Sequence, residues 1–110
     1  MASKLFSNDN ILNYGGVGNM MYPFIKYSDE TEVVFSDIRK NENDEEYILV
    51  CFERPTEKGF DTIIFELPSY NIVKNEGEYT EEEIERFRNV VERGAPLFFK
   101  CAKEGGMKSA

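Results

Sequence analysis

Four groups of residues in this chain have types and spacings that could do chemistry. The first is the glycine stretch in ILNYGGVGNMMYPF, residues 11–24. Backbone N–H groups cradle phosphate when Gly-x-Gly-x-x-Gly joins a strand to a helix, or when the loop ends in Gly-Lys-Ser/Thr. Here Gly16-Val17-Gly18 runs into Asn19-Met20-Met21, the preceding SKLFSNDNILNY is too polar for a strand, and Pro23 points to extended chain afterwards. Neither phosphate device is present. Gly15-Gly16 does stand a few codons before Met20, the spacing that a purine-rich ribosome-binding sequence gives when read in frame. Residues 1–19 are therefore expected to be a translated leader or a flexible N-terminal arm, followed by a single α+β domain over 20–110.

The second group is the acidic run NENDEE, 41–46. A calcium loop needs alternating oxygen ligands, a central glycine and a distal glutamate. The glycine is missing and strand-like segments flank the run, so it reads as a solvated connection. The third group is the carboxylates Glu53, Asp61 and Glu66, which as a pair in a cleft would serve acid–base or metal-assisted hydrolysis. Glu53 and Asp61 fall at strand ends, where charges meet water, and no spacing brings two of them together. The fourth is Cys51 and Cys101. The chain contains no histidine, which removes Ser–His and Cys–His nucleophiles and imidazole zinc sites. Each cysteine lies in an apolar pattern and reads as a small core residue. A disulfide between them has no other sign of export to support it. No catalytic residue, metal ligand or cofactor site is assigned.

The elements that must position these residues follow from periodicity. MYPFIKYSD is an edge-type strand, with a turn at Ser28-Asp29-Glu30, and TEVVFSDI, 31–38, is its hairpin partner. In the latter Val33 and Phe35 point one way, and Val34, Ser36 and Ile38 the other. YILVCFE, 47–53, is apolar on both faces and suggests a central strand. RPTEKGFD, 54–61, reads as a loop, and TIIFEL, 62–67, as the fourth strand, ended by Pro68. YNIVKN is either a short further strand or an irregular crossing. Thr80 and Glu83 form a Thr-x-x-Glu capping box, and Ile84, Phe87 and Val91 recur at helical spacing. Gly94 is a stop signal, and Ala95-Pro96 opens a second short helix or a kinked continuation with Leu97, Phe98, Cys101 and Ala102 on one side. The expected fold is α+β: a four-stranded antiparallel meander in the order 1-2-3-4, with a C-terminal helical pair packed on one face.

Charge and apolar surplus then suggest what the domain does. The net charge is −8 over 110 residues, with Glu81, Glu82, Glu83 and Glu85 concentrated at the helix start. Such a surface repels nucleic-acid phosphates and anionic membranes, so neither is expected as a partner. No apolar run approaches a membrane span, no signal segment opens the chain, and a cytoplasmic setting is expected. Tyr22, Tyr27, Tyr47, Phe52, Phe60 and Tyr70 exceed what one helical cover can bury. The surplus sheet face is met by a second copy, by another protein, by the N-terminal arm, or by the 68–79 crossing. The reading is a non-enzymatic interaction or regulatory module, such as an inhibitor or antitoxin. It would engage a basic protein or self-associate, with Glu81, Glu82, Glu85, Tyr47 and Phe52 as candidate partner-binding residues. The alternative is a small-molecule-binding domain with an aromatic pocket between sheet and helices. A carboxylate-dependent enzyme is the third.

Overall fold

The computed structural model describes residues 20–106. The elements are β1 (Met21–Lys26), β2 (Glu32–Ser36), β3 (Arg39–Lys40), β4 (Glu46–Thr56), β5 (Gly59–Leu67), β6 (Asn71–Glu76) and one long helix, α1 (Glu81–Lys103). The α+β class is as expected. Among the described residues the sheet has six strands instead of four, in the order β1-β2-β4-β5-β6 with β3 paired to the start of β4. All pairings are antiparallel.

The two added strands and one added hairpin have local causes. The expected 54–61 loop is instead a two-residue turn, because Thr56 pairs with Gly59 and the ladder continues through Arg54↔Asp61 and Pro55↔Phe60. Gly59 supplies the turn with φ +137, a conformation open to glycine. Pro55 is tolerated because β2 stops pairing at Glu53, so no ladder partner is needed on that side. The 39–46 connection closes as a tight hairpin. Asn41 Oδ1 accepts the N–H groups of Asn43 and Glu45, and its amide donates to Glu45 Oε1 at 3.0 Å. YNIVKN forms β6, and its bulge beside Ile64 and Phe65 places Val73 outside the simple alternation.

The helical pair is also corrected, since α1 runs unbroken through Gly94 and Pro96. Its start is the expected one: Thr80 Oγ1 accepts the Glu83 N–H and Glu83 Oε1 accepts the Thr80 N–H. Glu81, Glu82 and Glu83 occupy the positive end of the dipole and Lys100 and Lys103 the negative end. Gly94 does not stop the helix. A methyl group at that position would lie 2.9 Å from the Phe98 ring, so the glycine makes room for a core side chain one turn on. Along 87, 91, 94, 98 and 101 the inward positions alternate by four and three, which is a single continuous face. Leu97 falls outside it and is 42% exposed.

That face packs on one side of the sheet. Val33, Phe35, Ile48, Val50, Phe52, Ile63, Phe65 and Leu67 meet Phe87, Val91, Phe98, Cys101 and Ala102 there. Burial of each large side chain is worth roughly 1.5–3 kcal/mol. Phe52 stacks on Phe87 at 4.2 Å between centroids, and Phe98 meets Phe24 at 4.8 Å and Phe35 at 5.4 Å. The other side holds a smaller cluster of Met21, Val34, Leu49, Cys51 and Ile64, with Tyr47 and Val73 against it. No described helix lies over this second face, yet Val34, Leu49, Cys51 and Ile64 are at most 2% exposed. The surplus face, expected to be met by a second copy, another protein, the N-terminal arm or the 68–79 crossing, is thus buried at these four residues. The expected leader or arm, residues 1–19, lies outside the described residues.

Candidate functional site

The carboxylates come first, because an enzyme would need two in one place. Asp61 and Glu53 point to opposite faces of the sheet. Asp61 Oδ2 accepts from Arg54 Nη2 at 2.7 Å, and Asp61 Oδ1 accepts the Glu78 N–H at 2.8 Å. Glu53 Oε2 accepts the Thr62 hydroxyl at 3.1 Å, on the second face. Glu66 shares that face but pairs with Leu49, four residues from the Glu53 position, about 13 Å along the strand. It accepts the Ser69 hydroxyl at 2.8 Å. Each of the three has a structural partner, and they do not converge. Glu32 is the residue opposite Glu53 across β2 and β4, and both line a groove of about 670 Å³ beside the β4–β5 turn. Among the described residues no group of three acidic or sulfur ligands is arranged to hold a metal ion.

The cysteines are both free and buried, Cys51 on the second face and Cys101 against the helix-covered face. The sheet lies between them. Burial, with Glu53 adding to it, pushes the Cys51 thiol well above its ordinary value, which keeps it a neutral core group.

The ordered charge of the molecule is centred on Arg54. Its guanidinium reaches Asp61 at 2.7 Å, Glu83 at 2.8 Å and Asp29 at 3.4 Å, and lies 4.6 Å from the centre of the Tyr79 ring. Hydrogen bonding from Arg54 lowers the Glu83 pKa. The Thr31 N–H, with Arg54 adding to it, lowers that of Asp29. Burial pushes the Tyr79 phenol up, and its hydroxyl lies beside that of Thr31 without hydrogen-bond geometry. The cluster ties three places together: the β1–β2 turn, the β4–β5 hairpin and the first turn of α1. Periodicity misses it because RPTEKGFD reads as a loop and Arg54 with it. The signal lay in its alternation with Ile48, Val50 and Phe52 on one face.

The candidate partner-binding residues separate into three environments. Phe52 is completely buried under α1 and offers no surface to a partner. Tyr47 is half-buried at the margin of the second-face cluster. Glu81, Glu82 and Glu85 are exposed, and among the described residues none of them makes an ion pair. The outer side of α1 is not uniformly acidic. Glu81, Glu85 and Glu92 lie within about 40° of one another round the axis, as do Arg86, Arg93 and Lys100. The two stripes are about 100° apart, and Glu82 heads the basic one.

Where the basic stripe passes the β1–β2 turn, a cleft of about 480 Å³ opens. Tyr27, Ser28 and Asp29 form one wall, and Arg86, Phe87, Asn89, Val90 and Arg93 form the other. The space between sheet and helix itself is filled by the phenylalanine rings, and this cleft lies outside it.

No family model matches the sequence, and neither a curated protein nor a solved structure does. Among the described residues, no helix is long and apolar enough to cross a membrane.

Proposed function

We propose that this chain is a non-enzymatic binding module of the inhibitor or antitoxin type, which holds a basic protein partner against the first two turns of α1. The supporting observation is a fixed platform that displays unneutralised charge. The capping box and the Arg54–Glu83 pair hold the first turn in place. Glu81, Glu82 and Glu85 stand exposed on that turn and the next, without an ion pair among the described residues. Carboxylates on an already ordered backbone bind without a further ordering cost, and they steer a cationic partner at low salt.

The test is a comparison of two acidic patches of equal charge. A partner recovered on the full-length protein at low salt is identified, purified and rebound. The triple variant E81Q/E82Q/E85Q is expected to bind about tenfold or more weakly and to lose most of the salt dependence. The variant E42Q/E45Q/E46Q, altered in the exposed β3–β4 turn, is expected to bind as the parent does. Equal losses in both variants, or a loss confined to the turn variant, would overturn the proposal.

A further inference from the structure

The cleft between the β1–β2 turn and the middle of α1 has the makings of a small-molecule site, separate from the acidic flank of the helix. Its volume, about 480 Å³, falls in the range of small-ligand sites, roughly 300–1,000 Å³. Its floor is apolar, from Phe87 and Val90, with the Tyr27 ring on the facing wall. Its rim is cationic. Arg86, Asn89 and Arg93 follow at i, i+3 and i+7, so the amide lies between two guanidinium groups on one side of the helix.

Two facts give that rim a direction. In a protein of net charge −8, Arg86 and Arg93 make no ion pair among the described residues, as is also true of Arg88, Lys100 and Lys103 on the same helix, whereas Lys26, Arg39, Lys40, Arg54, Lys58 and Lys74 each do. The carboxylate in the same cleft, Asp29, is already engaged, since it accepts the Thr31 N–H at 3.0 Å and faces Arg54 at 3.4 Å. On the wall opposite, burial pushes the Tyr27 phenol up, and the nearby Arg86 charge opposes part of that rise. Two long side chains rooted about 10.5 Å apart can close on one anion above Asn89.

We infer that this cleft binds a small amphipathic carboxylate, whose anionic end is held by Arg86, Asn89 and Arg93 and whose aromatic or aliphatic body lies on Phe87 and Val90 beneath Tyr27. Guanidinium pairs with a carboxylate through parallel charge-assisted bonds. The apolar floor separates such a ligand from a plain inorganic anion.

The experiment is an amide-resonance titration of the full chain with three probes: 3-phenylpropanoate, the uncharged 3-phenylpropanamide, and inorganic phosphate. Saturable shifts confined to residues 27–29 and 86–93 are expected with 3-phenylpropanoate. Binding is expected to be about tenfold weaker for the amide and for phosphate. R86Q/R93Q changes two exposed side chains and keeps the fold. It is expected to weaken 3-phenylpropanoate about tenfold, while K100Q/K103Q further along the helix leaves it unchanged. Equal affinity for the amide would remove the role of the arginines. Equal affinity for phosphate would remove the role of the apolar floor. Shifts spread over the whole surface, or none at all, would overturn the site.

Discussion

Against α1 the sheet presents Phe35, Phe52 and Phe65, while across the same strands its other face presents Val34, Cys51 and Ile64. Both rows are buried, but they differ in the size of their side chains. A helix stands off a sheet by about 10 Å, and rings from both sides are needed to fill the space. The second face uses shorter side chains and admits polar groups that are satisfied close to the sheet. Ser36 ends β2 there, and its hydroxyl accepts the Leu49 N–H at 2.9 Å just where the ladder runs out. Thr62 and Glu53 pair across β5 and β4 in the same way. The neighbours Phe52 and Cys51 put this contrast to the largest test. Phe52→Ala leaves a ring-sized void against Phe87 and is expected to cost about 3–5 kcal/mol. Cys51→Ala removes about one methylene's worth of buried surface and should cost about 1 kcal/mol. Urea midpoints at constant slope measure both, and equal costs would erase the distinction between the faces.

Arg54 carries the next-largest effect, and it belongs to the helix-covered side alone. Arg54→Met keeps the length of the side chain but leaves Asp61, whose side chain is 6% exposed, without its cation. With the guanidinium itself partly open to solvent, the loss is expected to be about 2–3 kcal/mol, below that of a fully buried pair. The sign with pH is fixed by the carboxylates. Glu83 and Asp29 have folded pKa values below their ordinary values of 4.5 and 3.8, so their contribution is complete above those values. It is lost as the pH falls through the lower folded values. Thermal melts from pH 6 down to pH 2 should therefore show a smaller acid-induced loss in R54M than in the parent. A parallel loss in both would show that the cluster contributes nothing to acid sensitivity.

The face assignment of β4 and β5 was legible from alternation alone, whereas in β1 a bulge beside Pro23 and Ile25 lets Phe24 and Tyr27, expected on opposite faces, both pack on the helix side. Tyr47, Leu49 and Cys51 fall opposite Ile48, Val50 and Phe52, and Ile63, Phe65 and Leu67 opposite Thr62, Ile64 and Glu66, as period two requires. The helix cap was equally plain at Thr80 and Glu83. Alternation failed where the chain leaves the ladder. Ile38, read with Val34 and Ser36, packs on the helix side because it follows the end of β2 at Ser36. Proline and glycine misled for a physical reason: each has more than one use. Pro55 and Gly59 both signal a loop, yet one sits where β2 has ended and the other makes the hairpin turn. The cleft and the Arg54 cluster were illegible because both join the β1–β2 turn to α1, more than fifty positions apart in the sequence.

Gly94 is the position where helix propensity and packing oppose each other. Alanine in a helix is favoured over glycine by about 1 kcal/mol. The added methyl would meet the edge of the Phe98 ring at 2.9 Å, and Phe98 is itself packed among Phe24 and Phe35. The ring has no room to yield, so overpacking costing roughly 1–3 kcal/mol should outweigh the gain. G94A is expected to be less stable than the parent by about 1 kcal/mol in urea. A more stable G94A would mean that the ring repacks freely and that the glycine serves some purpose other than clearance.

Leu97 gives the smallest effect and the sharpest contrast within one turn. Phe98 is buried on the inward face of α1, and Leu97, the preceding residue, projects outward between Arg93 and Lys100. A second short helix beginning at Ala95 was expected to turn Leu97 inward beside Phe98, whereas the continuous helix turns it to solvent. L97Q is therefore expected to change stability by no more than about 0.5 kcal/mol, as for an ordinary surface position. F98A should cost about 3–5 kcal/mol, as for a core ring. A large loss in L97Q would place that residue in a packed interface and require the helix to break near Pro96 after all.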